Sequence, residues 1–180
     1  MKWMIASDFH GSGFYTQKLF DCFAKEQCDR LLILGDILYH GPRNDLPKGY
    51  APKEVIQMVN AHAEQIVCVQ GNCDCEVDQM VLELPILNAA MLFDCGNHIL
   101  YACHGHKAMP KLQKGDIYLQ GHTHVPQAEW IDGILHLNPG SIALPKENSW
   151  HGYMTLEEGM FRWKDLEGNE KHVYVANWEE

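Results

Sequence analysis

The sequence predicts an α/β chain built from two packed β-sheets with helices on the outside. Three observations carry that expectation. The first part of the chain alternates short apolar runs with amphipathic stretches in the order β-α-β-α-β, which demands a parallel sheet with helices against it. The second part changes to closely spaced apolar runs separated by hairpin signals, among them Asp132-Gly133, the strongest short one. No low-complexity tract, repeat or linker interrupts the 180 residues, so one domain over residues 1–180 is expected.

The elements follow in order. Residues 3–6 read as a buried strand, and residues 14–25 as a helix with Tyr15, Leu19, Phe20 and Phe23 at helical spacing. The apolar run at 30–34 is a second strand. A helix follows at 52–63, with Pro52 near its first turn and Val55, Ile56, Val59 and Ala63 on one face. Residues 66–69 form a third strand. Runs at 89–93 and 99–103 flank Cys95-Gly96-Asn97, and 117–120 is another strand. Runs at 127–131 and 134–137 flank Asp132-Gly133. Strands at 153–156, 160–164 and 172–178 are separated by Glu158-Gly159 and Gly168-Asn169.

Charge and cysteine content narrow the function. Lys and Arg number 14 against 24 Asp and Glu, a net charge of −10, which opposes non-specific binding to nucleic-acid polymers or an anionic membrane face. The seven cysteines are odd in number, and Cys28, Cys68, Cys95 and Cys103 sit in or beside apolar runs where a thiol packs as a small hydrophobe. No CxxC pair exists, so zinc-finger and thioredoxin-type motifs are unsupported. The first apolar run meets Asp8 too soon for a signal peptide or a spanning helix. A cytoplasmic protein is expected. Trp150, Trp163 and Trp178 are read as exposed aromatics available for homo-oligomer formation.

The informative residues stand where the strands end. Strand one runs into Asp8-Phe9-His10-Gly11, strand two into Gly35-Asp36, and strand three into Gly71-Asn72-Cys73-Asp74. The run at 99–103 ends in His104-Gly105-His106, and that at 117–120 in Gly121-His122-Thr123-His124. In open α/β sheets this carboxyl edge is where ligands bind. Carboxylate, amide and imidazole donors suit Mn, Fe, Zn, Ni or Co better than Ca or Mg alone. The spacings Asp8-x-His10 and His122-x-His124 place each pair on one side of an extended segment. Asp36, between two groups of ligands, is the candidate to bridge two ions. Such a pair, roughly 3.5–4 Å apart, holds a hydroxide between its members and neutralises a transferring phosphoryl group. The remaining histidines, His62, His98, His136, His151 and His172, are expected to be exposed or structural.

Asp-x-His, Gly-Asp, Gly-Asn, His-Gly-His and Gly-His-Thr-His, in this order, resemble the calcineurin-like metallophosphoesterase superfamily. The short chain, residues 35–43 and Gly71-Asn72-Cys73-Asp74 resemble its small bacterial phosphodiesterase branch, the YfcE family. The likeness runs from Met1 to about Pro145 and includes Asn138-Pro139-Gly140-Ser141. It implies a four-layer α/β/β/α sandwich. It implies one divalent ion, Mn²⁺ first among the candidates, held by Asp8, His10, Asp36 and His124, and a second by Asp36, Asn72, His104 and His122.

One position departs from the pattern. Many members of the superfamily carry Gly-Asn-His at the third motif, where the histidine is thought to protonate the leaving group; here the residue is Cys73. A thiol, with an ordinary pKa of about 8.5, is a poorer proton donor at neutral pH than an imidazole. That favours diesters whose leaving oxygen needs little help. His40 and Arg43 are candidate substrate-binding residues, since a guanidinium presents a fork matched to phosphate oxygens. His106 is placed behind the ligands as an orienting group.

The expected activity is metal-dependent hydrolysis of a small phosphodiester. A metal-bridging hydroxide is the nucleophile, Asn72 helps stabilise the non-bridging oxygens, and Cys73 or water protonates the leaving group. The rival is a non-catalytic scaffold, since the same fold serves that purpose in a retromer subunit. That relative lacks part of the histidine set, whereas every ligand position is filled here.

Overall fold

The structure is a computed structural model and describes residues 1–176. Strand β1 (Trp3–Ala6) leads through Ser12 into helix α1 (Gly13–Glu26). The Ser12 hydroxyl accepts the Tyr15 N–H at 3.2 Å, a side-chain cap for an otherwise orphan donor. Strand β2 (Arg30–Ile33), helix α2 (Pro52–Ala61) and strand β3 (Ile66–Cys68) complete the expected β-α-β-α-β run. Helix α2 stops short of residue 63. The His62 ring takes the Met58 carbonyl, the acceptor that another α-helical turn would use, and a single 3₁₀ turn follows at Ala63–Gln65. A short helix α3 (Glu76–Gln79) precedes the second half.

That half contributes β4 (Met91–Cys95), β5 (His98–Ala102), β6 (Ile117–Leu119), β7 (Pro126–Ile131) and β8 (Ile134–Pro139). Three more strands follow, β9 (Gly152–Glu157), β10 (Met160–Asp165) and β11 (Glu170–Val175). The last begins two residues before the expected run, whose residues 177 and 178 lie outside the described residues. One sheet has the order β11-β10-β9-β1-β2-β3 and the other β4-β5-β6-β8-β7. Strands β1, β2 and β3 are mutually parallel, as are β5, β6 and β8. The hairpins add the antiparallel edges.

Alternation along the central strands builds two cores. Met4 and Ala6 of β1 and Leu31 and Ile33 of β2 pack with Leu19, Phe20 and Phe23 of α1 and Val55 and Val59 of α2. Ile5 and Leu32 point the other way, into the layer between the sheets, and meet Leu100, Leu119, Leu137 and Met154 there. Trp163 also belongs to this layer. It is 1% exposed and donates its indole N–H to the Asn138 carbonyl at 2.7 Å, so the expectation of an exposed, association-prone tryptophan is corrected. Its place in the two-residue alternation of β10, between outward Arg162 and Lys164, buries it. Trp150 is partly buried against the same core, and Trp178 lies outside the described residues.

The two-sheet α/β class is as expected. The layer over the outer face of the β4–β8 sheet is irregular chain rather than helix among the described residues: Leu112 packs onto Cys103, Tyr118 and Ile134. Pro110 and the scarcity of apolar residues around it give that connection no amphipathic helical stripe.

Candidate metal centre

The carboxyl ends of β1, β2 and β3 lie beside those of β5 and β6, and the loops beyond them lock together. Asp8 N–H donates to the Gly35 carbonyl at 3.1 Å, and His10 N–H to the Asp36 carbonyl at 2.9 Å. Across the sheets, His122 N–H donates to Asp8 Oδ2 at 3.0 Å. Glycine is required where these loops meet: a Cβ on Gly71 would run into Asp36, and one on Gly121 into Ser7.

The segments are not extended, as the spacing alone had implied. Asp8, His10, Asp36, His122 and His124 all have positive φ, between 48° and 66°. Each costs about 1 kcal/mol or more in a residue other than glycine. Half of the chain's described non-glycine residues in this region of backbone space therefore belong to one constellation of donors. Such strain persists where surrounding hydrogen bonds over-determine it, and it concentrates at functional sites.

The side chains converge in two overlapping groups. His124 Nε2 lies 3.2 Å and His10 Nε2 3.5 Å from Asp8 Oδ1, and the two nitrogens are 3.1 Å apart. On the other side His104 Nε2 lies 3.0 Å from Asn72 Oδ1 and 3.2 Å from His122 Nδ1. Asp36 stands between: its Oδ2 is 3.8 Å from His10 Nε2 and 3.5 Å from His104 Nε2. Asp36 Oδ1 accepts the Cys73 N–H at 2.7 Å. All seven sequence-predicted ligands are thus brought together, with Asp36 facing both groups.

The imidazoles are oriented for a cation. His10 Nδ1–H donates to the Tyr39 carbonyl at 2.9 Å, His104 Nδ1–H to Leu34 at 2.6 Å, and His124 Nδ1–H to Leu144 at 2.6 Å. With those protons on Nδ1, three Nε2 lone pairs point inward, a usual outer-shell device for metal-binding histidines. Acceptor then faces acceptor across 3.1 Å between His10 and His124. Asp8 Oδ1 is buried without a hydrogen-bond partner. Uncompensated, that arrangement is costly; a divalent cation relieves it. The residues fit a metal.

Without a metal, protons stand in for the cation. Burial alone would raise the Asp8 carboxyl, yet the His10 and His124 imidazoles hold it well below the usual carboxylate range. Burial likewise opposes ionisation of Asp36, but contact with His104 wins and its pKa falls. His104 is depressed by burial and raised more by Asp36 and Asp8, to about 9. The two buried carboxylates are thus kept ionised by partners of opposite charge, His10 being raised against burial by Asp8 and His104 by Asp36, while His122 is lowered by burial and by the His104 charge. The Cys73 thiol goes the opposite way, pushed up to about 12 by burial and by the Asp36 charge. Its sulfur lies within 4.8 Å of ligand atoms of both His10 and Asp36, and it accepts the Asn72 side-chain N–H at 3.2 Å.

The second-tier candidates divide. Arg43 lines the roughly 490 Å³ cavity over the centre. His40 does not; its ring packs edge-on against Tyr39 and Tyr50, and its Nδ1 is buried. His106 sits behind the ligands, 5.5 Å from the His104 ring and 6.3 Å from the His122 ring. Three residues were missed. The Asp74 carboxylate accepts the Asp36, Ile37 and Gly71 N–H groups, each at 2.8 Å, and so ties the second motif to the third. The Ser141 hydroxyl donates to the Asp8 carbonyl at 2.8 Å and accepts the Ala143 and Leu144 N–H groups. Lys146 joins Arg43 at the cavity. Asp74 and Ser141 lay within stretches already singled out, but only the folded loops reveal which backbone groups they hold.

Comparison with known proteins identifies the family. The profile of the calcineurin-like phosphoesterase superfamily domain matches residues 1–159. The phosphodiesterase YfcE of Escherichia coli (strain K12) is 43% identical over 161 residues, covering 87% of this chain and 88% of that protein. The probable metallophosphoesterase YsnB of Bacillus subtilis (strain 168) is 30% identical over 122 residues, covering 59% and 68%. A solved structure of YfcE, described as a phosphoesterase from E. coli, superposes with a TM-score of 0.92 at 39% identity over 98% of this chain and all of that one. Vps29 of Entamoeba histolytica with Zn²⁺ shares the fold at a TM-score of 0.61 and 20% identity, over 98% of this chain and all of that one. On motif order, fold and the extent of the match, the chain belongs to the calcineurin-like phosphoesterase superfamily.

Proposed function

We propose that this chain is a metal-dependent phosphodiesterase that hydrolyses small phosphodiesters, using two divalent ions, Mn²⁺ foremost. The observation that carries the reading is the inward set of imidazole lone pairs around Asp8 and Asp36, in a chain 43% identical to a protein named as a phosphodiesterase. Divalent ions bound there supply positive charge for the phosphoryl oxygens and make hydroxide available at neutral pH. Asp8, His10 and His124 form one half of the cradle, and Asn72, His104 and His122 the other. Asp36 serves both, and its negative charge offsets the mutual repulsion of the ions.

In the metal-free protein burial and the Asp36 charge push the Cys73 thiol up to about 12, and even at the ordinary thiol pKa of about 8.5 it is a poorer proton donor at neutral pH than the imidazolium it replaces. A donor that weak gives little help to an alkoxide, so diesters with stable leaving groups are hydrolysed ahead of monoesters of simple alcohols. All seven cysteines are free, which supports a reducing, cytoplasmic location, and none of the described helices is long and apolar enough to cross a membrane. The acidic net charge supports small substrates over nucleic-acid polymers. The complete ligand set favours an enzyme over a scaffold.

The test is a comparative screen of chelator-treated protein resupplied with Mn²⁺, Zn²⁺, Ni²⁺ or Co²⁺, against bis-4-nitrophenyl phosphate and 4-nitrophenyl phosphate. Faster diester hydrolysis, with Mn²⁺ the best activator, is expected. Hydrolysis of the monoester alone would overturn the assignment.

A further inference from the structure

The cavity over the metal centre has a charge pattern that says more about its substrate. Of the described residues lining it, Asp36 is the only carboxylate, and it faces the candidate ligands. Two cations line the same cavity, Arg43 and Lys146, both exposed and each on a different loop. The loops are held. The Asn44 side chain donates to the His40 carbonyl at 2.7 Å beside Arg43, while Lys146 N–H donates to the His124 carbonyl at 3.2 Å and its own carbonyl accepts from Ser149. No Phe, Tyr or Trp side chain is among the described residues lining the cavity, and its imidazoles, His10, His122 and His124, are the candidate metal ligands, so none of them is spare to stack on a base.

A simple phosphodiester carries one negative charge, and the metal centre answers it. Two further cations, on a chain whose net charge is −10, are surplus to that need. From this we infer that the substrate is a phosphodiester bearing a second anion, a carboxylate or a phosphate, on one of its alcohol arms, and no nucleobase. The inference rests on the phosphodiesterase reading and refines its substrate class. A cavity of this volume accommodates such a molecule whole. Arg43 and Lys146 grip the anionic arm from two loops, which fixes the arm and leaves the scissile phosphate over the ligands.

The experiment compares kcat/KM, at saturating Mn²⁺, for four 4-nitrophenyl phosphodiesters. Their second alcohols are ethanol, glycolate (a carboxylate arm), 2-phosphoethanol (a phosphate arm) and the 5′-hydroxyl of thymidine. An exposed ion pair contributes a factor of up to about five, so two cations give the anionic arms an advantage of about tenfold over ethyl. Arg43→Met and Lys146→Met each remove roughly two- to fivefold of that advantage and the double variant most of it, whereas Lys111→Met, on the loop before β6, leaves it intact. The better of the two anionic arms identifies the second anion. Alongside, the dissociation constant of the unhydrolysed methylphosphonate monoester of glycolate, read by NMR titration of the metal-free protein, rises about two- to fivefold in Lys146→Met. Equal rates for ethyl and anionic arms, an advantage intact in the double variant, or the thymidine diester ahead of all would overturn the inference. If no diester is hydrolysed while the binding difference persists, the phosphodiesterase reading falls and the anion site stands.

Discussion

Asp74→Asn probes how the second and third motifs are held together. Asp74 is 5% exposed, and its Oδ2 accepts N–H groups from Asp36 and Gly71 while Oδ1 accepts that of Ile37. The amide of asparagine offers one acceptor and turns two donors toward a backbone donor, so at least one N–H is orphaned whichever way it flips. A hydrogen bond to a charged group contributes about 1.5–3 kcal/mol, and an unsatisfied buried donor costs about 1–3 kcal/mol. Relief from burying the charge works against that loss, since burial already pushes the Asp74 carboxyl up. A net loss of about 2–3 kcal/mol remains. The assay is urea unfolding of the metal-free protein, paired with Mn²⁺ affinity. Because Asp36 and Asn72 ride on the loops that Asp74 joins, affinity falls about tenfold as well, and Asp74→Glu restores neither. A variant within 0.5 kcal/mol of wild type, with unchanged Mn²⁺ affinity, would refute the reasoning.

Four further outcomes are expected. Asp36→Asn costs more activity than removal of any other single ligand, and elemental analysis shows loss of at least one ion per chain; retention of two ions at a near-normal rate would remove Asp36 from the bridging position. Cys73→Ala barely slows bis-4-nitrophenyl phosphate hydrolysis, whereas Cys73→His raises the monoesterase-to-diesterase ratio, most for alkyl leaving groups, as paired kcat/KM values will show. The Glu26 carboxyl, opposed by burial but held down to about 2 by Lys164 and Lys2, contributes stability at neutral pH. That contribution, at most about 3 kcal/mol, is present above pH 4.5 and disappears as pH falls through 2; thermal melts of Glu26→Gln should lack this acid-dependent portion. Gln27, which ends α1 at φ 54°, becomes more stable as Gln27→Gly by about 0.5–1 kcal/mol in urea titrations, since glycine adopts that conformation without strain.

The elements that were legible are those where one residue pattern implies one structure. Leu19, Phe20 and Phe23 could only face a core, and parallel pairing gathers the polar residues after β1, β2 and β3 at one edge and those after β5 and β6 at another, which the packing of the two sheets then brings together. What stayed hidden depends on contacts between segments distant in sequence. Asp and His enter positive φ more readily than most residues, but that weak preference does not mark which of them do so; at Asp8, His10, His122 and His124 the conformation is held by hydrogen bonds such as that from His122 N–H to Asp8, 114 residues away. Trp163 is read from sequence as exposed although Phe161 and Trp163 alternate with Arg162 and Lys164, and that alternation puts both aromatics on the buried face of β10. Lys146 gave no signal, since a lysine in a polar loop is ordinary until the fold sets it beside Arg43.

The central claim is that this constellation holds two divalent ions and that hydrolysis depends on both. Its most direct test is the rate of bis-4-nitrophenyl phosphate hydrolysis as Mn²⁺ is titrated into chelator-treated protein, with bound metal counted at each step. The account predicts no turnover without metal and a rate that saturates at two ions per chain. Equal turnover in the metal-free protein, or none with two ions bound, would contradict it.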